Sequence, residues 1–157
     1  MQIKTMLCAL TVGTFAVSLV ACSGKAPSRV GKDGEIAKTI DTTEVETDRY
    51  VTFDGIGGAD QTLTNSTQKK SLSETAGRKI AEEKMLAYLK GQQIDATTTV
   101  EQAITTDQKI QGVVSNTLRG AAILKREWTS DDGCVVTIRL DKKKFMDQIK
   151  DARGVAR

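Results

Sequence analysis

Apolar and polar residues are arranged in three regimes along the chain. From Thr5 to Ser18 no charge interrupts a run that carries Leu7, Leu10, Val12, Phe15 and Val17. From residue 23 to 49 large apolar side chains are sparse, and the stretch holds the single proline, Pro27, with Gly24, Gly31 and Gly34. From Tyr50 onward the pattern is that of a folded domain. Tyr50-Val51-Thr52-Phe53 is aromatic and β-branched and predicts a strand that closes on Gly55-Ile56-Gly57-Gly58 as a turn or bulge. Residues 71–91 predict a helix, opened by Ser71-Leu72-Ser73-Glu74 as a capping box and stopped at Gly91. Its apolar positions form two stripes, Leu72-Ala76-Ile80 and Ala81-Met85-Leu89, more than one half-buried face requires. A weaker helix is expected from Thr99 to about Gln111, capped by Thr99 and Gln102 and ended or bent at Gly112. The stretch from Leu118 to Thr129 predicts a strand, Asp131-Asp132-Gly133 a tight turn. After it Cys134, Val136, Ile138 and Leu140 alternate with Val135, Thr137 and Arg139, the period of a strand with one face on a core. Asp141 caps a last helix carrying Phe145, Met146 and Ile149, with Lys142, Lys143 and Lys144 in its first turn.

The order strand, helix, helix, strand, strand, helix gives an α+β fold: a small antiparallel sheet of about three strands with helices packed on one face. Three regions follow: residues 1–21 as a leader, 22–49 as a flexible tether and 50–157 as a single domain. A flexible tether over 23–49 spans about 30 Å root-mean-square. Within it Ile36 and Ile40 could seed a short helix, but a solvated tether is the plainer reading.

The first regime decides the location. Its apolar run is shorter than the ~20 residues of a membrane-spanning helix. Lys4 precedes it, and it runs into Leu19-Val20-Ala21-Cys22. That sequence resembles the lipobox of bacterial lipoproteins. The resemblance implies cleavage before Cys22 and a covalent lipid on that cysteine, with no other cofactor. Several acyl chains at ~0.8 kcal/mol per buried CH₂ form an anchor that does not readily dissociate. Ser23, a residue other than Asp after the cysteine, implies by the sorting rules of Gram-negative lipoproteins a lipid-anchored place at the outer membrane, facing the periplasm.

Composition then narrows the chemistry. The formal charge of +3 gives no nucleic-acid footprint. The chain has no histidine, so the commonest general base and metal ligand is missing. The acidic pairs Asp131-Asp132 and Glu82-Glu83 fall in a turn and on a helix surface, without a partner for acid–base work or metal binding. No catalytic residue and no metal site is assigned. Cys134, left without an intrachain partner once Cys8 and Cys22 are set aside, reads as a small buried hydrophobe; an intermolecular disulfide or reactive thiol is the alternative.

Several stretches of the body together resemble the Lpp-twenty family of outer-membrane lipoproteins. They are Tyr88-Leu89-Lys90-Gly91, Ile110-Gln111-Gly112, Leu118-Arg119-Gly120-Ala121, Trp128 ahead of Asp132-Gly133, and Val135-Val136-Thr137-Ile138. Leu118, Arg119 and Gly120 resemble its flagellar lipoprotein FlgP branch; Trp128, Asp132 and Gly133 resemble the wider family. The likeness covers roughly residues 50–150. It implies a non-catalytic structural subunit of the cell envelope that self-associates into a ring or disk, in its most concrete form around the flagellar motor, with other flagellar or envelope proteins as partners. A sheet with open edges on a membrane-confined chain is compatible with that role. The alternative is a binding module for peptidoglycan or a neighbouring envelope protein, unrelated to motility.

Overall fold

The computed structural model of the chain describes residues 28–36 and 45–154. The leader, Cys22 and Ser23 lie outside these residues. In chain order the elements are β1 (Val45–Glu46), β2 (Tyr50–Gly57), α1 (Ser66–Gly91), α2 (Val100–Thr106), α3 (Gln108–Arg119), β3 (Ala122–Trp128), β4 (Cys134–Asp141) and α4 (Lys142–Ala152). The strands form one antiparallel sheet in the order β1-β2-β4-β3. Since β1 is only two residues long, three long strands carry it, and the expected α+β class and order of long elements are what is found.

In β2, Val51, Phe53, Gly55 and Gly57 point toward the helices; opposite them in β4 stand Leu140, Ile138, Val136 and Cys134. Helix α1 lies on this face through Ser73, Gly77, Ala81, Met85 and Leu89, all buried. The ladder grades from small to large. Its small end meets the two strand glycines backbone to backbone. A Cβ on Gly55 would overlap the Gly77 carbonyl oxygen, and one on Gly57 the Ser73 carbonyl. A Cβ on Gly77 would sit 3.1 Å from the carbonyls of Cys134 and Gly55. Gly55 and Gly57 are thus helix-packing positions inside a strand, not the turn or bulge expected at its end. Toward the large end Met85, Leu89, Phe53, Ile138, Phe145 and Ile149 make the core, joined by Ile110 and Val114 of α3. Tyr88 meets Phe53 edge-on at 5.5 Å.

Three helix boundaries differ from the sequence expectation. Helix α1 starts at Ser66, where the Asn65 carboxamide accepts from the amides of Thr67 and Gln68 at 3.0 and 3.3 Å. Residues 66–70 are polar throughout, so no apolar period marked them. The supposed cap Ser71 lies inside the helix, and Ser73 donates instead to the Lys70 and Asp132 carbonyls. The single helix expected over 99–111 is two helices. Thr99 and Gln102 do form the capping box of α2, but Asp107 closes α2 and caps α3, accepting from Lys109 N at 2.8 Å. A carboxylate that satisfies free amides competes with helix continuation. Gly112 does not end α3, because Ile110 and Val114 keep one face buried through to Arg119. Leu118 and Arg119 are therefore helical, and the strand starts only at Ala122. Asp141 caps α4 as expected, accepting from Lys144 N at 3.0 Å.

The glycine contact yields a stability test. Gly55→Ala or Gly57→Ala forces α1 off the sheet and lowers unfolding stability by about 3 kcal/mol. Gly58→Ala, whose Cβ meets nothing within 4 Å, stays within about 0.5 kcal/mol. Urea unfolding of the three variants decides; equal midpoints for Gly57→Ala and Gly58→Ala would remove the contact from its central place.

Candidate functional site

Because side chains alternate along a strand, β2 and β4 also build a second face, with Thr52, Asp54 and Ile56 opposite Arg139, Thr137 and Val135. This face was expected to be solvated. Val135 and Thr137 are instead 0 % and 2 % exposed. Residues 28–36, counted with the tether in the sequence reading, lie across it. Arg29 Nε sits 2.7 Å from Asp54 Oδ2, with both side chains less than one fifth exposed. Thr137 donates to the other Asp54 oxygen at 2.6 Å. Glu127 accepts from the Ser28 hydroxyl and from the amides of Arg29 and Val30, and pairs with Lys125 at 3.1 Å. Val30 bridges Ile36, and the Gly34 carbonyl accepts from Ser130 N at 2.9 Å. Residues 28–36 of the expected tether are thus a strap and Val45–Glu46 a strand, and Ile36 belongs to the strap's bridge rather than to a helix; Ile40 lies outside the described residues. Arg29, Asp54 and Glu127 are tolerated here because each has its partners.

The sheet has two edges. On the outer side, β3 carries a register shift between Ile123 and Lys125 and then Lys125, Arg126 and Glu127, features that blunt an edge against pairing. On the other side, β1 pairs only with Val51 and Thr52. Among the described residues no strand continues along β2 from Phe53 to Gly57. Lys84 Nζ donates to the outward Asp54 carbonyl at 2.7 Å, which sets its helix stripe beside this edge. The same stripe carries Ala76, with Leu72 and Ile80 at 49 % and 38 % exposed. It is one of the two stripes expected from sequence; the other faces the core.

The residues singled out by resemblance fall into two groups that do not meet. Trp128, Asp132 and Gly133 shape the β3–β4 hairpin and dock it on the start of α1. Asp132 has a φ of 64°. Its carboxylate accepts from Ser66, and Lys70 Nζ lies 3.6 Å from it. The Lys70 ammonium also stands 5.7 Å from the centre of the Trp128 ring. Gly133 is buried against Thr129 and the Gly57 carbonyl. Leu118, Arg119 and Gly120 close α3 at the opposite end of β3, about 20 Å away at 3.3 Å per residue. Leu118 packs on the core, Arg119 is exposed, and Gly120 N donates to the Asn116 carbonyl. Cys134 is fully buried under α1, and burial, with the Glu74 charge, pushes its thiol pKa up. That placement fits the small buried hydrophobe and not an exposed thiol. Among the described residues no helix is long and apolar enough to cross a membrane, and no group of three acidic or thiol side chains is set to hold a metal ion.

Compared with family models, curated proteins and solved structures, the chain finds no match.

One of the strap's contacts responds to pH. Burial opposes the charge on Glu127, but hydrogen bonds from Ser28, the Arg29 amide, Lys125 and the Val30 amide outweigh it and hold the carboxyl below the ordinary glutamate value. A depressed folded pKa contributes stability that is fully present above the unfolded value, 4.5, and is lost as pH falls through the folded one. The amide resonances of Arg29 and Val30 therefore keep their docked shifts near neutrality and move together below pH 4.5. Glu127→Gln removes that step. Docked shifts that persist unchanged to the point of global acid unfolding would count against the strap's dependence on Glu127.

Proposed function

We propose that this chain is an envelope lipoprotein, anchored in the outer membrane through lipid on Cys22, that acts as a non-catalytic assembly subunit. In its most concrete form it is a component of a flagellar motor disk or ring. The lipobox-like Leu19-Val20-Ala21-Cys22 and the family likeness of the body support the location and class. The observation that carries the assembly role is the edge of β2 from Phe53 to Gly57, which has no strand partner among the described residues, beside exposed Leu72 and Ile80. An edge with free backbone groups and an apolar flank is a ready template for another chain. The strap adds a geometric reason. From Cys22 to Ser28 the backbone reaches at most about 20 Å when fully extended. With the strap docked, the domain stays near the lipid surface, and confinement to one plane raises the concentration of copies for each other. Repeated head-to-tail contacts between such copies close into rings where the rotation permits.

Mature lipidated protein reconstituted in liposomes should form rings or arrays visible by negative-stain microscopy. Leu72→Lys together with Ile80→Lys should abolish them while leaving the thermal midpoint within a few degrees, because both side chains are exposed. Cys22→Ser should release the protein from the membrane fraction. Arrays that survive the double lysine variant would sink the β2 edge as the contact. A gene deletion that leaves motility and the motor intact in situ would remove the flagellar form of the proposal.

A further inference from the structure

Residues 37–44 lie outside the described residues, but both of their ends are fixed against β2. Ile36 lines a cavity of about 350 Å³ together with Ile56, Gly57 and Gly58, where β2 ends. Val45 pairs with Thr52, near its start. The chain must therefore cross the length of the β2 edge that has no strand partner among the described residues. Five residues of extended strand separate Thr52 from Gly57, about 17 Å. The nine residue steps from Ile36 to Val45 reach about 30 Å. The register of β1 already points along this edge. Continuing Glu46–Val51 and Val45–Thr52 backward sets Glu44 opposite Phe53, Thr43 opposite Asp54, Thr42 opposite Gly55 and Ile40 opposite Gly57. Beside the edge, α1 keeps step with such a strand. Glu46 accepts from Tyr88 Oη at 3.1 Å. One helix turn back stands Lys84, whose one hydrogen bond among the described residues goes to the Asp54 carbonyl. Next come exposed Ile80, then Ala76, then exposed Leu72. Four helical residues advance about 6 Å and two strand residues about 6.7 Å, so the two rows stay in phase.

We propose that residues 40–44 of the same chain pair antiparallel with this edge and carry β1 back to Gly57. In that register Ile40, Thr42 and Glu44 fall on the side of Glu46, toward α1. Glu44 then meets the Lys84 ammonium, Thr42 meets Ile80, and Ile40 covers Ala76 and Leu72. A slip by one residue would turn Asp41 and Thr43 to the apolar stripe and leave Lys84 without a carboxylate. The backbone chemistry agrees. Thr47 N donates to Tyr50 O at 2.8 Å, so the hydrogen-bonded pairs of this ladder alternate through Val45–Thr52 to Thr43–Asp54. The Asp54 carbonyl that accepts from Lys84 keeps a second lone pair for the Thr43 amide. So short a pairing barely offsets the cost of ordering its backbone, and it can yield the edge to another chain. The segment and a second copy then compete for one edge. That competition rests on the assembly reading; the pairing itself does not.

Nuclear magnetic resonance of the isotope-labelled, mature lipidated protein in detergent tests the pairing. Non-hydrogen-bonded pairs of an antiparallel ladder bring their Cα atoms to about 4.5 Å. Cross-strand Hα–Hα contacts are therefore expected between Glu44 and Phe53 and between Thr42 and Gly55. The Thr43 amide, bonded to Asp54, should exchange with solvent about tenfold more slowly than the outward Thr42 amide once intrinsic rates are divided out. In a mixture of labelled and unlabelled chains the contacts should stay within the labelled chain. Thr43→Pro removes the bonded amide and should abolish both contacts; on liposomes it should hasten array formation severalfold. Absence of the Hα–Hα contacts in the unsubstituted protein, or contacts found only between labelled and unlabelled chains, overturns the proposal. A paired segment together with arrays indifferent to Thr43→Pro upholds the pairing and takes the β2 edge out of assembly instead.

Discussion

At its small-residue end helix α1 touches β2 and β4 through backbone rather than through side chains, and most of the molecule takes its position from that contact. Side-chain packing tolerates small shifts by changing rotamers; a carbonyl resting where a Cβ would be does not. With Gly55, Gly57 and Gly77 in register, the helix can sit only at one height along the strand. That height brings Ser73 to the Asp132 carbonyl and Lys70 to the Asp132 carboxylate, so the hairpin is fixed from the helix as well as from its own turn. It also fixes what remains outside. Once the Ser73–Leu89 ladder is committed to the sheet, the neighbouring stripe with Leu72 and Ile80 falls beside the outer edge of β2.

The second face works by a different principle. Among the described residues it has no helix over it, and nine residues of irregular chain, 28–36, close it. Such a segment buries little apolar surface, so hydrogen-bonded charge does the holding: Arg29 on Asp54, and Glu127 on the strap's own amides. Each contact is worth little in water and more in a half-buried setting. The strap's stability is therefore local and separable from that of the core, as expected of a segment with few apolar contacts. A domain whose helix side is locked by backbone contact and whose other side is closed by charge has one rigid face and one that answers to its surroundings.

What the sequence disclosed follows the same division. The period-2 pattern of β4, the caps at Thr99 and Asp141 and the Asp132-Gly133 turn were all readable, because each is a local signal. The two stripes of α1 were also visible, though not which one is buried. That choice depends on Gly55 and Gly57, read as a turn because a strand glycine has no local meaning until the helix above it is known. The strap was invisible for a stronger reason. Its composition is that of a tether, and its partners Asp54, Glu127 and Thr137 are far away in sequence. Val135 and Thr137 gave no warning either, since a half-polar strand reads as one with a wet face. Of the residues picked out by resemblance, Asp132 and Gly133 proved to shape a joint, while Leu118, Arg119 and Gly120 sit at the other end of the same strand.

That separation gives the domain two poles. Ser28 meets Glu127, which stands opposite Val135 near the start of β4, whereas Arg139 and Asp141 stand at its far end. Four residues of extended strand separate Val135 from Arg139, about 13 Å. If lipid on Cys22 holds the chain, the short reach to Ser28 would keep the first pole toward the membrane and the second away from it. The proposed contacts at the β2 edge would run sideways, across the line joining the poles, and would not need the strap to leave the sheet. A partner that did pull the strap away would lengthen the chain between anchor and domain and uncover Asp54, Thr137 and Val135 together. With lipid on Cys22, distance from the membrane and exposure of the second face would be coupled through the same handful of hydrogen bonds.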